Sequence, residues 1–181
     1  IAGLDTADGG SINISGREIV GLKDADTAAL RRDTVGVVFQ QFNLIPSLTV
    51  AANIAFHARL GKRYDAAWAE EITTRLGLSD HVAKYPDALS GGQQQGVAIG
   101  RTLAARPKIV LADEPTGNLD ETTADTVLGL FLDCARESGA AVLMVTHSPR
   151  LAARMDRRLL LSHGSVTPIE DTHAPKQRPT G

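Results

Sequence analysis

The chain has 181 residues, of which 43% are hydrophobic and 22% charged, a composition ordinary for one soluble globular domain with a sizeable core. Its net charge of −2 gives no electrostatic case for a nucleic-acid partner. The longest apolar run, near residues 140–145, has the length of a strand and not of a membrane span, and no signal-peptide pattern opens the chain. We therefore expect a cytosolic protein, which leaves room for docking onto a membrane protein.

The first fifty residues predict short elements. Residues 9–14 read as a turn followed by a short strand, and residues 28–32 as a short helix. The β-branched run at residues 35–39 predicts a strand with Gln40 at its C-terminal end, and residues 43–47 read as a loop. The pattern predicts a small N-terminal β element followed by a strand of a larger sheet.

Helical periodicity dominates the middle of the chain, at residues 49–60, 64–76 and about 79–84. A further helix is predicted to open at Gly91 or Gly92 and to stop before Pro107. Because this stretch has no strand signal, it predicts a helical subdomain over about residues 47–106.

The second half of the chain alternates strands and helices. Apolar runs at residues 109–112 and 141–145 predict strands buried in a parallel sheet, joined by an amphipathic helix at residues 121–137. Two shorter strands are predicted near residues 158–161 and 165–167. Strand, helix and strand in this order imply right-handed βαβ units.

Polar residues occupy the predicted C-terminal ends of the strands, where parallel sheets bind their ligands. They are Gln40, Asp113, Glu114 and His147. This shared placement predicts one site. The other four histidines, which are His57, His81, His163 and His173, lack such a context, and we assign them no role.

Residues 89–95 read LSGGQQQ and place a serine and two glycines where a helix is about to start. Glycine allows backbone N–H groups to approach a ligand, and a helix N-terminus favours negative charge, so a phosphate suits Ser90, Gly91 and Gly92. A short SGG alone would be an ordinary helix cap with flexible glycines. The length of the motif and the Asp-Glu strand that follows it favour the phosphate.

Residues 109–120 read IVLADEPTGNLD, an apolar strand that ends in two adjacent carboxylates. Asp113 suits Mg²⁺, usually through water, and Glu114 suits the water that attacks a γ-phosphate. An isolated Asp-Glu pair would more often cap the next turn, but the long match favours the functional interpretation. His147, in VLMVTHS, suits a contact with a γ-phosphate that switches with nucleotide state.

Gln40 can supply a neutral oxygen to Mg²⁺ or to water, and Gln41, one residue along, is its competitor because it points elsewhere in a strand. Four apolar residues follow in the next loop: Phe42, Leu44, Ile45 and Leu48. A contact with a partner helix and a local satellite core are equally favoured for them.

Taken together, these motifs resemble the nucleotide-binding subunit of ABC transporters. Gln40 matches the Q-loop, residues 89–95 the signature, residues 109–114 Walker B, residues 118–120 the D-loop, and His147 the H-loop. The wording FQQFNLIPSLTV and DEPTGNLD looks most like the branch of lipoprotein-release, macrolide-export and cell-division ATPases. The resemblance implies an α/β fold with a P-loop NTPase-like parallel sheet flanked by helices. It covers residues 1–169, and we expect residues 170–181 to be a disordered tail.

The resemblance also implies cofactors, partners and roles. The cofactors are ATP and Mg²⁺, with Asp113 and Gln40 around the metal, Glu114 as base, His147 on the γ-phosphate and Asp120 near the nucleotide. Two ATPase subunits pair head to tail, as a homodimer or with a second subunit. The signature residues of each would then contact the ATP of its partner: Ser90, Gly91, Gly92 and Gln93. Transmembrane permease subunits dock on the helical subdomain and Q-loop, which places the protein at the cytoplasmic face of the plasma membrane.

Two departures from the family pattern carry expectations. The phosphate loop GxxxxGK[ST] does not occur in the 181 residues, and Ile1 to Asp5 resemble the stretch just after the family's Walker A helix. We therefore expect an N-terminally truncated chain that does not hydrolyse ATP alone; the alternative is a non-catalytic partner for dimerisation or permease docking. Gly96 and Gly100 stand where the family has arginine and alanine, and each mid-helix glycine costs about 1 kcal/mol relative to alanine.

Overall fold

A computed structural model describes residues 2–169, so the expectation for residues 170–181 lies outside the described part. The chain forms two compact units, which divide after Thr146. The first unit contains the parallel sheet, residues 47–106 and every predicted site residue except His147. The second begins at His147. Within residues 2–169, no helix is both long and apolar enough to cross a membrane.

The centre of the first unit is a three-stranded parallel sheet with the order β3 (Val35–Val38), β4 (Ile109–Asp113) and β5 (Ala141–Val145). Val38 pairs with Ala112, and Asp113 pairs with Val145, so the strands end at a common edge. Helix α5 (Glu121–Ser138) connects β4 to β5. The predicted parallel sheet is therefore confirmed.

The prediction that β5 is buried is wrong. Val145 is 55% exposed and Leu143 is 38% exposed, whereas Val110 of β4 is fully buried. The reason is topological, because β4 has a hydrogen-bonded neighbour on each side and β5, within the described residues, pairs only with β4. An apolar run predicts a strand that favours burial, but it does not state how many neighbours the strand has.

Residues 47–106, all of which the structure describes, form helices and no strand, as predicted. The α-helices are α2 (Val50–Leu60), α3 (Ala66–Arg75) and α4 (Gly91–Leu103), with 3₁₀ turns at Ser79–His81 and Pro86–Ala88. Their shared core consists of fully buried aliphatic side chains: Ile54, Ile72, Leu78, Val97, Ile99 and Leu103.

Helix α4 also attaches this helical segment to the sheet. The hydroxyl of Thr102 donates to the carbonyl of Val37 (3.1 Å), and Nε2 of Gln95 donates to the carbonyl of Phe39 (3.4 Å). On its other side α4 packs on α5, where a Cβ at Gly92 would lie 2.6 Å from Cγ2 of Thr123. Gly92 therefore allows the two helices to approach closely at the start of α4.

Helix α5 buries Leu128, Phe131 and Cys134, which matches the predicted amphipathic pattern. Burial raises the pKa of the Cys134 thiol to about 11, as expected of a structural and not a reactive cysteine. The helix ends at Gly139 with φ of 72°, the left-handed conformation of a helix C-terminus.

The remaining elements are small. In the first unit, β1 (Asn13–Ile14) and β2 (Arg17–Glu18) form an antiparallel pair that precedes α1 (Asp24–Asp33), so the predicted N-terminal β element is present. The second unit contains α6 (Pro149–Ala152) and an antiparallel hairpin of two strands. These strands are β6 (Leu159–Ser162) and β7 (Ser165–Pro168).

Candidate functional site

The ends of β3 and β4 bring Gln40 to the turn that follows Glu114. Nε2 of Gln40 donates to Oδ1 of Asn118 (3.1 Å), and Nδ2 of Asn118 donates to the carbonyl of Gln40 (3.0 Å). The same turn approaches so closely that a Cβ at Gly117 would lie 3.0 Å from Nε2 of Gln40. Since the amide nitrogen of Gln40 is used in this way, its oxygen is the atom left for a ligand.

Asp113 and Glu114 differ sharply in backbone and surroundings. Asp113 is the exposed last residue of β4, whereas Glu114 is half-buried with φ of 43°. A glutamate in this conformation costs on the order of 1–3 kcal/mol, and such strain clusters at functional sites. The N–H of Glu114 donates to the carbonyl of Val145 (2.9 Å), and Oε2 of Glu114 accepts from the hydroxyl of Thr146 (3.2 Å). These contacts hold the carboxylate at the strand edge.

Asp120 is the N-cap of α5. Its Oδ1 accepts from the N–H of Thr123 (3.0 Å). The hydrogen bonds from the Thr123 side chain and backbone lower the pKa of Asp120, which favours its charged form. The aspartate of the predicted D-loop therefore has a structural task in this chain as well.

Ser90 and Gln93 form a reciprocal capping box at the start of α4. The hydroxyl oxygen of Ser90 accepts from the N–H of Gln93 (3.3 Å), and Oε1 of Gln93 accepts from the N–H of Ser90 (3.0 Å). Gly91 and Gly92, the first two helical residues, leave their backbone accessible at the helix end. The motif thus combines an ordinary helix cap with a helix N-terminus suited to an anion.

Comparison with known proteins agrees with this geometry. The ABC transporter family model matches residues 1–117. The chain belongs to the ABC transporter family. An uncharacterized ABC transporter ATP-binding protein of Mycobacterium tuberculosis is 43% identical over 171 residues, which cover 93% of this chain and 69% of that protein. The lipoprotein-releasing system ATP-binding protein LolD of Maricaulis maris is 43% identical over 173 residues, covering 91% and 73%.

Solved structures support the same assignment. The ATP-binding cassette MJ0796, in a dimeric post-hydrolysis state bound to ADP and Pi, superposes with a TM-score of 0.80 at 34% identity. The superposition covers 94% of this chain and 78% of that one. This chain is thus an ATP-binding subunit of ABC transporter type, with the mixed α/β cassette fold, in a family that couples ATP hydrolysis to transport.

Residues 40–48, which begin at Gln40, form a loop that we call the Q-loop segment. Two buried polar side chains hold it. Asn53 accepts from the N–H of Ile45 (2.9 Å) and donates to the carbonyls of Ile45 (3.1 Å), Leu48 (3.0 Å) and Thr49 (3.2 Å). Arg101 donates to the carbonyls of Asn43 (2.7 Å) and Phe42 (3.2 Å).

Neither residue was identified from the sequence. Asn53 interrupts the apolar face of α2, and a polar residue at such a position is the signal that could have identified it. The four apolar side chains of the Q-loop segment are all half-buried, and the two roles named for them stay predictions. The segment is fixed chiefly through its backbone.

Arg101 is only 7% exposed, and it has no carboxylate partner among the described residues. Desolvation lowers its pKa, and its Nε has no hydrogen-bond partner within residues 2–169. It lies beside His57, whose pKa is lowered to about 4 by burial first and by the charge of Arg101 second.

Arg101 lines a cavity of about 530 Å³ between α1, β3 and α2. Its lining includes apolar side chains: Val35, Val37, Phe56 and Leu60. It also includes four arginines and a histidine: Arg31, Arg32, Arg63, Arg101 and His57. No carboxylate side chain of the described residues lines this cavity, which we call the arginine groove.

His147 is exposed and opens the second unit. It therefore stays a prediction from its place after β5. No three His, Cys, Asp or Glu side chains among residues 2–169 converge as a metal cluster. The donor set at the strand edge, one carboxylate and one amide oxygen, fits Mg²⁺, which keeps several waters and takes few protein ligands.

Proposed function

We propose that Glu114 is the general base of ATP hydrolysis in this subunit. The observation that supports it most is its half-buried carboxylate, held beside exposed Asp113 on a strained backbone and hydrogen-bonded by Thr146. A carboxylate fixed in this way is positioned to orient and deprotonate an attacking water. His147 donates a hydrogen bond to the γ-phosphate in this proposal, because it follows β5 at the position of the family's H-loop histidine.

In this proposal Asp113 and the oxygen of Gln40 would hold Mg²⁺. When bound, the metal neutralises charge on the phosphates of ATP. The contact between Gln40 and Asn118 supports this role, because it orients the amide so that the nitrogen faces Asn118. Asp120 lies two residues after Asn118, in the D-loop. It contacts the nucleotide in this proposal and also caps α5.

The signature residues serve a second nucleotide, that of a partner ATPase subunit paired head to tail. These residues are Ser90, Gly91, Gly92 and Gln93. The open first turn of α4 supports the proposal, since its unpaired N–H groups and helix dipole favour a phosphate. The dimeric state of the MJ0796 cassette is consistent with such pairing. Either a second copy or a different ATPase subunit satisfies this geometry.

The arginine groove is the docking place for a transmembrane permease subunit at the cytoplasmic face of the plasma membrane. Its apolar side chains suit one face of an amphipathic helix, and Arg101, which has no carboxylate partner among the described residues, suits an acidic side chain on that helix. The groove shares Asn43 and Ile45 with the Q-loop segment, so an occupant contacts the backbone that carries Gln40.

The test of catalysis is Glu114→Gln in the protein as its source expresses it, assembled with its permease. We expect hydrolysis to fall by about 10²–10⁴-fold, the usual contribution of a general base, with ATP binding retained. Glu137→Gln is the matched control, because Glu137 is an exposed carboxylate at the end of α5 whose ion-pair partner among residues 2–169 is Arg75 (2.8 Å). Hydrolysis by Glu114→Gln at the rate of the control would refute the proposal.

A further inference from the structure

His81 contacts the signature motif, although it belongs to none of the family's motifs. Its Nε2 lies 2.9 Å from Nε2 of Gln93. The histidine ends the 3₁₀ turn Ser79–His81, which begins directly after fully buried Leu78. Leu78 packs against α4 at Gly96, where its Cδ1 lies 3.7 Å from the position of a Cβ. This packing places the turn against the first turns of α4, and His81 reaches Gln93.

The hydrogen-bond pattern fixes the orientation of the Gln93 amide. Oε1 of Gln93 accepts from the N–H of Ser90, and an exchanged amide would put two donors against each other there. The group that faces His81 is therefore the NH₂ of Gln93, which only donates. Nε2 of His81 must then be the acceptor, so it carries no proton and the ring is neutral with its hydrogen on Nδ1.

This arrangement has a structural cost. Nδ1 of His81 is buried and has no hydrogen-bond partner among the described residues. An unsatisfied buried N–H is unfavourable, and the ring would avoid it by carrying its proton on Nε2 if Gln93 did not require an acceptor. The chain of contacts runs from His81 through Gln93 to the N–H of Ser90.

We propose that His81 is a positioning residue for the signature motif. As a neutral ring protonated at Nδ1, it orients the Gln93 amide, which in turn holds Ser90 and the open first turn of α4. The consequence for nucleotide contact rests on the role proposed above for Ser90. The positioning itself does not depend on that role.

The test is the tautomer of His81, read from the ¹⁵N shifts of its ring by NMR near pH 8 without nucleotide. We expect the Nδ1–H form in the unmodified chain. In Gln93→Glu, whose carboxylate only accepts, we expect the ring to change to the Nε2–H form. An Nε2–H ring in the unmodified chain, or the same tautomer in both proteins, would overturn the proposal.

A second measurement is hydrogen exchange at the Ser90 amide. In His81→Leu we expect its exchange to accelerate by about two- to tenfold, the range for one net hydrogen bond. His81→Gln offers an acceptor at a similar reach and should restore the protection. Protection at Phe131 in the core of α5 shows that each variant is folded. Unchanged exchange at Ser90 in a folded His81→Leu protein contradicts the inference, as does failure of His81→Gln to restore it. Because no nucleotide is present, these results are independent of whether Ser90 contacts ATP.

Discussion

Alanine substitution of Gly96 should stabilise the protein, and the structure gives the size of the effect. A Cβ at this position meets Leu78 Cδ1 at 3.7 Å and Cδ2 at 3.9 Å, which are ordinary contact distances. The gain is then the helix-propensity difference between glycine and alanine, about 1 kcal/mol in a helix interior. In a domain of this size, that free energy raises Tm by about 2–4 °C.

Two neighbouring glycines on the same helix supply matched controls. A Cβ at Gly100 would lie 3.1 Å from Leu76 Cδ1 and 3.3 Å from Ile54 Cγ1, both in the core, so crowding offsets part of the gain. A Cβ at Gly92 would lie 2.6 Å from Thr123 Cγ2 at the contact with α5, and alanine there should destabilise. The expected order of stability is Gly96→Ala first, Gly100→Ala second and Gly92→Ala last.

The assay is urea unfolding followed by the fluorescence of Trp68. This is the only tryptophan in the sequence, it is buried in α3, and its Nε1 donates to the carbonyl of Leu103 at the end of α4 (3.1 Å). The probe therefore reports on the helix that carries the substitutions. If Gly96→Ala shows no higher midpoint than Gly100→Ala, the argument from helix propensity and space is refuted.

Two further predictions concern polar residues of α2, the buried Asn53 and the half-buried His57. Asn53→Ala should destabilise by about 1–3 kcal/mol in the same assay, because the N–H of Ile45 loses its acceptor and the carbonyl of Leu48 loses its side-chain donor, whereas the carbonyls of Ile45 and Thr49 keep backbone donors; an unchanged midpoint would show that water replaces Asn53 freely. His57 should make stability depend on pH. Its pKa is lowered to about 4 in the folded protein from an ordinary value near 6.5, so the unfolded state binds the proton more readily. The contribution is complete above about pH 6.5 and is lost as pH falls towards 4, and His57→Leu should flatten that part of the stability profile; an equal slope in both proteins would assign it to other groups.

Much of the fold was predictable because its periodicities are strong. The boundaries of α2, α4, α5 and β4 follow from apolar spacing, from Pro107 and from the serine and glycine residues at the helix ends. The exposure of β5 was not predictable, because it depends on what lies beside the strand. An apolar run such as residues 141–145 reads the same in a central and in an edge position.

The candidate site was predictable to a different degree at each residue. Motif spacing gives Gln40, Asp113 and Glu114, and parallel topology brings their strand ends to one edge. Two residues that hold the Q-loop segment and the signature motif were missed, since Arg101 contacts the carbonyls of Asn43 and Phe42, 58 and 59 positions away in sequence, and His81 contacts Gln93 from a separate turn. Such contacts depend on tertiary packing, which leaves no periodic signal in a single sequence.

The central claim is that the carboxylates of β4 and the signature of α4 act on nucleotides of different subunits. Its direct test is a mixture of two inactive variants of the protein as its source expresses it, assembled with the permease. One variant carries Glu114→Gln and the other carries Ser90→Arg, which places a bulky side chain at the open end of α4. If the two residues serve opposite nucleotides, a mixed dimer contains one site with both intact, and ATP hydrolysis returns on mixing. Hydrolysis that stays as low as in either variant alone would place both residues at one nucleotide and contradict the account.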